Sequence, residues 1–487
     1  MRQIKWIGIL LGAIWYPSLG QEGQPADSIR IQNLDEVFII SSRYERPLQD
    51  VTRSISVITS DQIQSTPYIN VTDFLARESG LFVVGQGQTP GTNQSIFMQG
   101  ANSNQVIILV DGVRLSDPST PNGALDLSEL SLLNIQRIEI LKGGQGSMYG
   151  SSAIGGVINI VTQKPKDGFS GNLVSQLSTM GGGALAKKAG ASLGYRHVSG
   201  IYGNFSSELQ QVNGLDATVD TITSGRYKTQ DQDDFVKRDF QAQLGYQKKA
   251  WNISANFKNV NQRAEVDAGA FRDDDNSTLD FSRQLFNYQV SYQFNLGSIS
   301  YLGSYSQLER IFENDSSVID FNGQTDQSFS RSINNGGNSI NEIQYQNVFR
   351  LVEYVFGVGT SNESMDFESY FFSNAFGPFE FIQSYDTVDL HISNQYGFGQ
   401  LYLRGKGNQF LEKFTLSLGA RFNFHSTYGS QISYDLSPSV TVEKFRVFAV
   451  VSKGFQNPTL IQLFDPNGTF GSPVTRGNTD LTPEQSL

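Results

Sequence analysis

From about Phe169 onward the chain alternates apolar and polar residues with a period of two. Phe240, Ala242, Leu244 and Tyr246 share one parity, with Gln241, Gln243 and Gln247 on the other. After a tight turn at Lys248-Lys249, Trp251, Ile253, Ala255 and Phe257 alternate with Asn252, Ser254, Asn256 and Lys258. Phe286 to Asn295 repeats the pattern, Leu296-Gly297 turns it into Ile299, Tyr301 and Tyr305, and Phe414 to Phe424 gives another apolar face. Period two is the signature of strands with two unlike faces. Long polar stretches separate these hairpins at Gln211–Asp233, Glu265–Ser277 and Phe312–Gly337, and read as loops. Short turns on one side and long loops on the other predict a membrane β-barrel, which also removes the edges an open sheet would expose.

The first third has a different texture. Strands are predicted at Ser54–Thr59, Leu81–Val84, Ile96–Gly100, Val106–Val110 and Val113–Leu115. A helix start at Asp61-Gln-Ile is capped by Ser60, and Asn70–Arg77 reads as a short amphipathic helix. Asp111-Gly112 is a hairpin turn, which explains Asp111 better than a catalytic role does. Ile135–Leu141 and Gly156–Thr162 are two strands joined by a glycine-dense connection. A P-loop would need Lys-Ser or Lys-Thr after its last glycine and a helix beyond, and this stretch offers neither. The region reads as an α+β domain of roughly 120 residues.

Composition sharpens this. Aromatic residues reach 12% and glycines number 48, as lipid-facing strands and tight turns require. No window past the N-terminus supplies the roughly 18 apolar residues of a transmembrane helix. A net charge of −11 argues against nucleic acid. Without cysteine there is no thiolate metal site, and no nucleophile–base constellation suggests an enzyme. Arg2 and Lys5 before the apolar run Trp6–Trp15, then Ser18-Leu-Gly20, form a secretory signal peptide over residues 1–20. A polar lead-in follows over residues 21–43. Within it, Asp35-Glu-Val-Phe-Ile-Ile-Ser-Ser42 is β-prone, suited either to a first strand or to pairing with another protein's strand.

Val110-Asp-Gly-Val113, Ile138-Glu-Ile-Leu-Lys-Gly143, Met148-Tyr-Gly150 and Ala153-Ile-Gly-Gly-Val-Ile-Asn-Ile160 resemble the plug signatures of the TonB-dependent outer-membrane transporters. Two positions depart: Gln99 stands where that family usually has arginine, and Gly144 where it has proline. The resemblance implies a transmembrane antiparallel β-barrel over residues 167–487 with an α+β plug over residues 44–166 in its lumen. It implies location in the outer membrane of a Gram-negative cell, among outer-membrane lipid and lipopolysaccharide. It makes Glu36, Val37, Phe38, Ile39, Ile40, Ser41 and Ser42 the box that pairs with TonB, through which the inner-membrane complex supplies energy.

Within the family, Ser95-Ile-Phe, Val106–Leu115 and Leu125-Asp-Leu-Ser128 are most similar to the cobalamin transporters. Siderophore transport is the alternative, and a porin or surface receptor without energised transport the alternative of another class. A haem receptor would want histidines, and only His197, His391 and His425 occur. Substrate contacts are then expected on the apical loops, from Gln86, Gln88, Thr89, Asn93, Ser95, Ser116, Asp117, Ser119 and Asn122. Asp216, Asp231, Asp233, Asp267 and Asp280 resemble loop residues that hold Ca²⁺ in the cobalamin transporter, and carboxylates from separate loops suit that cation. A plugged barrel of this kind has about 22 strands, whereas Phe169–Leu487 has room for roughly 14–16. The chain therefore reads as lacking its C-terminal strands.

Overall fold

A computed structural model describes residues 38–39, 46–47, 51–86, 88–179, 183–215, 232–267, 277–316, 328–374, 376–384, 390–405, 414–442, 445–464 and 477–487. From Phe38 onward these fold as one unit.

The plug is built on a five-stranded mixed sheet. Its order is Ile55–Thr59, Ile135–Lys142, Gly156–Thr162, Val106–Val110, Val113–Leu115, with one parallel pairing, between Gly156–Thr162 and Val106–Val110. These strands are near-continuous apolar runs because both faces are covered. Ile138, Ile140 and Ile158 are fully buried with Val71, Leu75 and Met98, whereas Ile107, Leu109, Leu141 and Val157 face a second cluster around Met148 and Tyr149. The hairpin at Asp111-Gly112 has φ of 51° and 81°, as a tight primed turn requires. The first helix is Ser60–Ser65, and its cap is Thr59 rather than Ser60: Thr59 Oγ1 accepts from the Gln62 amide, and Gln62 Oε1 from that of Thr59. The glycine-dense connection holds a one-turn helix, Gly146–Tyr149. Four residues are too few to show a helical period, which is why the sequence reads as loop there. Gly156 must be glycine. At φ 149°, a Cβ there would sit 2.2 Å from the Leu141 carbonyl oxygen.

The rest is a 16-stranded antiparallel sheet from Gly168–Thr179 to Glu484–Ser486, within the number that the chain length allows. Neighbouring strands pair in sequence order, and among the described residues no pairing joins its first strand to its last. The sheet is inverted relative to a soluble protein. Lys188, Glu208, Lys237, Gln243, Gln262, Arg283, Asn287, Gln400 and Ser417 are buried, and Leu173, Leu193, Phe205, Leu244, Phe286, Val358 and Phe422 are exposed. An apolar exterior around a polar interior is the arrangement that lipid demands.

Connections are short at residues 197–200, 249–250, 295–296 and 350–351, and long at 216–232, 266–276 and 317–327. Near the short end aromatic rings form a ladder. Trp251 lies 4.6 Å from Tyr292, Phe294 6.1 Å from Tyr345, and Tyr345 6.0 Å from Tyr354. Rings at one level mark a membrane interface. Toward the other end the strands run on. Phe312–Ser316 and Ser328–Gly337, read as loop from their polarity, are strand instead, within Gly297–Ser316 and Ser328–Phe349. A bilayer needs only about 9–11 tilted residues, so a strand of 22 stands well clear of it. Both of its faces are then wet, and polarity no longer reports the strand.

Glycines in the wall are roofed by rings from the neighbouring strand. Tyr202 covers Gly245, Tyr288 covers Gly303 and Phe398 covers Gly357. A Cβ at Gly357 would lie 2.3 Å from Phe398 Cζ. Gly357→Ala should therefore force that ring aside and destabilise the wall by about 1–3 kcal/mol. A lower unfolding temperature in detergent is the expected reading, and an unchanged one would contradict the tight packing.

Candidate ligand site between plug and wall

Between the plug and the inner wall, toward the long connections, lies a cavity of about 140 Å³. The plug contributes Arg114, Ser116, Asn122 and Ser152, and the wall Glu342, Glu363, Asn394, Arg421 and Asn457. Its volume suits a few waters, each taking about 30 Å³, and falls short of the roughly 300–1,000 Å³ of a small-molecule pocket. A bulky molecule does not fit inside it.

The buried cations are held by the plug itself. Arg114 donates to the Ser151 carbonyl at 3.0 Å and to Ser152 Oγ at 2.9 Å. Burial lowers its pKa, and the nearby Glu363 carboxylate opposes that. Arg421 stacks 3.6 Å from the Tyr396 ring centroid and donates to the Met148 carbonyl at 3.1 Å. Only Arg114 of this group stands in a motif legible in the sequence. The wall residues come from strands 190 or more positions downstream, and only the topology brings them here.

The two loops expected to bind substrate are placed differently. Ser116 and Asn122 line the cavity. Asp117 and Ser119 are buried behind it, where Asp117 Oδ2 accepts from Arg310 at 3.0 Å and Ser119 Oγ donates to Asp117 Oδ1 at 2.5 Å. Gln86, Gln88, Thr89, Asn93 and Ser95 do not line it. Gln86 donates to the Thr72 carbonyl at 3.0 Å and Thr92 to that of Thr89 at 2.7 Å, whereas Ser95 Oγ lies 3.5 Å from Asn93 Oδ1 and Gln88 is exposed. This loop meets the wall elsewhere, with Gly91 against Phe235 and Ala264.

One ion network joins both loops to the wall. Arg283 donates to Glu129 at 2.6 Å and to the Ser116 carbonyl at 2.9 Å. Arg310 reaches Asp117 at 3.0 Å and Asp126 at 3.8 Å. Asp126 Oδ1 in turn accepts from the amides of Gln94 at 3.0 Å and Ser128 at 2.9 Å. Lys237 donates to the carbonyls of Ser128 and Leu130 at 2.6 and 2.8 Å. Burial raises the pKa of Asp126 and Glu129, against the pull of Arg310 and Arg283 respectively. The acids sit on the plug and the cations on the wall. Gln99 takes no part, and its amide donates to the Gly80 carbonyl at 2.7 Å. Gly144 has a steric reason: a Cβ there would sit 2.3 Å from Ser452 Oγ.

Of the residues expected at the metal, Asp216 and Asp231 lie outside the described residues. Asp280 holds Arg263 at 3.3 Å, Asp233 is buried at a strand start, and Asp267 is half-buried. Among the described residues no three acidic or histidine groups converge on one point. Of the box, Phe38–Ile39 pairs antiparallel with Arg46–Pro47, and Glu36, Val37, Ile40, Ser41 and Ser42 lie outside the described residues.

Two family descriptions match the chain: TonB-dependent Receptor Plug Domain over residues 47–157, and TonB dependent receptor-like, beta-barrel over residues 211–487. A vitamin B12 transporter, BtuB of Vibrio vulnificus (strain CMCP6), is 37% identical over 158 residues, which are 32% of this chain and 25% of that protein. Among solved structures, the siderophore receptor PirA of Acinetobacter baumannii superposes with a TM-score of 0.65 at 18% identity, over 88% of this chain and 66% of that one. The ferric yersiniabactin uptake receptor FyuA of Yersinia pestis gives 0.62 at 17% identity, over 83% and 65%. At such identities the likeness is one of fold, and this chain spans about two thirds of their length. A plug sheet tied by buried ion pairs to an inverted β wall, with both family descriptions in register on it, identifies the chain as a member of the TonB-dependent receptors.

Proposed function

We propose that the protein takes up a scarce, bulky nutrient across the outer membrane, with cobalamin as first choice, energised by TonB docking on Glu36–Ser42. The observation that carries this reading is the plug itself. Its buried salt bridges tie it to the inner face of the wall, so passage along that face needs the plug to move. Buried pairs of this kind cost several kcal/mol to break, which calls for an outside source of work, and no nucleotide-binding motif offers one. Cobalamin is favoured because a relative at 37% identity bears that function in its name, whereas the siderophore receptors share only the fold. The family is one of transporters rather than enzymes.

Ligand would settle at the mouth of the cavity over Ser116 and Asn122, with the first loop responding through Asp126 rather than by touching the same face. Ca²⁺ held by Asp216, Asp231, Asp233 and Asp267 would order the outer loops beforehand and lower the ordering cost of binding. Asp280 would have to release Arg263 to join them.

Deleting Glu36–Ser42 should abolish uptake of cyanocobalamin while leaving surface binding intact. Ca²⁺ should tighten binding about tenfold over chelator, about 1.4 kcal/mol. Uptake that survives the deletion would sink the energised mechanism. A ferric siderophore that binds where cyanocobalamin does not would replace the ligand and keep the mechanism.

A further inference from the structure

The cavity between plug and wall carries bare acceptors. Gln456 Oε1 and Asn394 Oδ1 are buried and accept from no donor among the described residues. Both side chains line the cavity. Their neighbours fix which way each amide points. Arg421 can only donate, so the Asn423 atom 3.0 Å from its Nε is the amide oxygen. Asn394 meets that oxygen at 3.4 Å and must turn its nitrogen to it, which leaves Asn394 Oδ1 bare. Gln456 gives Nε2 to the Asn457 carbonyl at 3.0 Å, where its oxygen would face another oxygen. An unmet buried acceptor costs free energy that a donor from a ligand would return.

The rest of the lining says what kind of donor. His425 is part of it. Its Nδ1 accepts from the amides of Thr427 and Tyr428 at 3.1 and 3.3 Å, so the neutral ring carries its proton on Nε2 and can donate there. The charges of the lining cancel, Arg114 and Arg421 against Glu342 and Glu363. Both arginines already donate to plug carbonyls, and Glu342 accepts from Tyr396 at 2.9 Å. A charge brought in would find no counter-ion of its own, which burial penalises. Room for about four waters is room for a carboxamide and the methylene that carries it.

We propose that the cavity reads one neutral carboxamide arm of the transported ligand, whose body stays outside. The amide nitrogen donates to Gln456 Oε1 and Asn394 Oδ1, and the amide oxygen accepts from His425 Nε2. A carboxylate of the same size brings only lone pairs to the two bare oxygens. An ammonium brings a charge that Arg114 and Arg421 oppose. The inference rests on the reading of this cavity as the ligand site, and it sharpens cobalamin, which bears such arms, to the group that is recognised.

The first probes are independent of the ligand: propionamide, propionate and propylammonium, each followed by saturation-transfer NMR on the full chain in detergent. Propionamide alone should bind the wild type, and Gln456→Leu should weaken it at least about tenfold, about 1.4 kcal/mol. Gln456→Glu keeps the shape and adds a charge, so it should exchange propionamide for propylammonium. Among the acids made by hydrolysing single arms of cyanocobalamin, at least one should bind the wild type about tenfold more weakly than the parent, a gap that Gln456→Leu narrows. Propionate matching propionamide would overturn the subsite. So would silence from all three probes, since water then fills it. A propionamide signal without cyanocobalamin binding would keep the subsite and remove cobalamin as the ligand. Cyanocobalamin binding indifferent to hydrolysis and to Gln456→Leu would keep that ligand and remove the subsite.

Discussion

Arg310→Ala should loosen both plug loops at once, although the side chain lies on the wall. Arg310 faces Asp117 and Asp126, which are 0% and 2% exposed. Removing the cation leaves two buried carboxylates, with Arg283 still 3.9 Å from Asp117. Breaking one side of a buried pair costs about 3–5 kcal/mol. The loss should reach Ser116–Ala124 through Asp117, and the segment around Gln94 through the Asp126 carboxylate that holds its amide. Hydrogen exchange should therefore quicken over both stretches, while the wall strand Trp251–Glu265 stays protected. Arg310→Lys should recover only part, because a point charge serves one carboxylate where a guanidinium serves two. The defect also has a sign in pH. Burial raises the carboxyl pKa of Asp126 and Glu129, so the folded state binds their protons more readily than the unfolded state does. Stability from these groups then increases as pH falls through their folded values, and levels off near the ordinary value of about 4. The variant should be most disturbed at neutral pH and partly rescued as pH is lowered toward the ordinary carboxyl range. Exchange that quickens in one loop alone would disprove the shared network.

Local pattern carried the fold a long way, for physical reasons that also set its limits. Alternation such as Phe240 to Gln247 marks strand, because lipid and lumen impose opposite chemistry on successive side chains. Once a strand leaves the bilayer that contrast vanishes, and Ser328–Gly337 looked like loop while pairing with Ser364–Ser373. The helix Gly146–Tyr149 was hidden by its length. At the site, Ser116 and Asn122 were legible from their place in a plug loop, whereas Gln86–Ser95 was placed with them only by analogy. The hairpin of Leu81–Val84 and Ser95–Met98 that carries the loop is a two-stranded sheet of its own, and it sets Gly91 against the strand Asp233–Lys248 instead. Least legible were the long-range pairs. Arg283 lies 154 positions from Glu129, and Asp435 lies 382 from Arg53. Neither carries a local signal, because each depends on which wall strand passes which plug turn.

The pair at Asp435 supports the largest expected effect. Asp435 accepts from Arg53, at the start of the plug, and from Ser147, in the one-turn helix of the glycine-dense connection. Around it the same wall strand grips the plug backbone. Ser433 donates to the Gly146 carbonyl at 2.7 Å and Ser437 to that of Thr52 at 2.8 Å, while Arg53 also reaches the Gly144 carbonyl. Gly419 lets the helix approach this closely, since a Cβ there would lie 2.5 Å from both Ser147 Oγ and Asp435 Oδ1. Asp435→Ala would leave a buried guanidinium without its counter-ion and a serine without its acceptor. The expected loss is about 3–5 kcal/mol for the ion, with roughly 1 kcal/mol more for the hydroxyl. Exchange should rise across Val51–Arg53 and Gly143–Gly155. Asp435→Asn should fall between the two, keeping an acceptor for Ser147 and losing the charge. A second variant separates the pair from mere packing. With Arg53→Met and Asp435→Leu together no charge is stranded, and such swaps are often neutral or stabilising. The double variant should therefore be far more stable than Asp435→Ala, with a coupling energy of about 1–3 kcal/mol in the cycle. If its losses simply add, Arg53 and Asp435 do not act as a unit, and the plug is held there by shape alone.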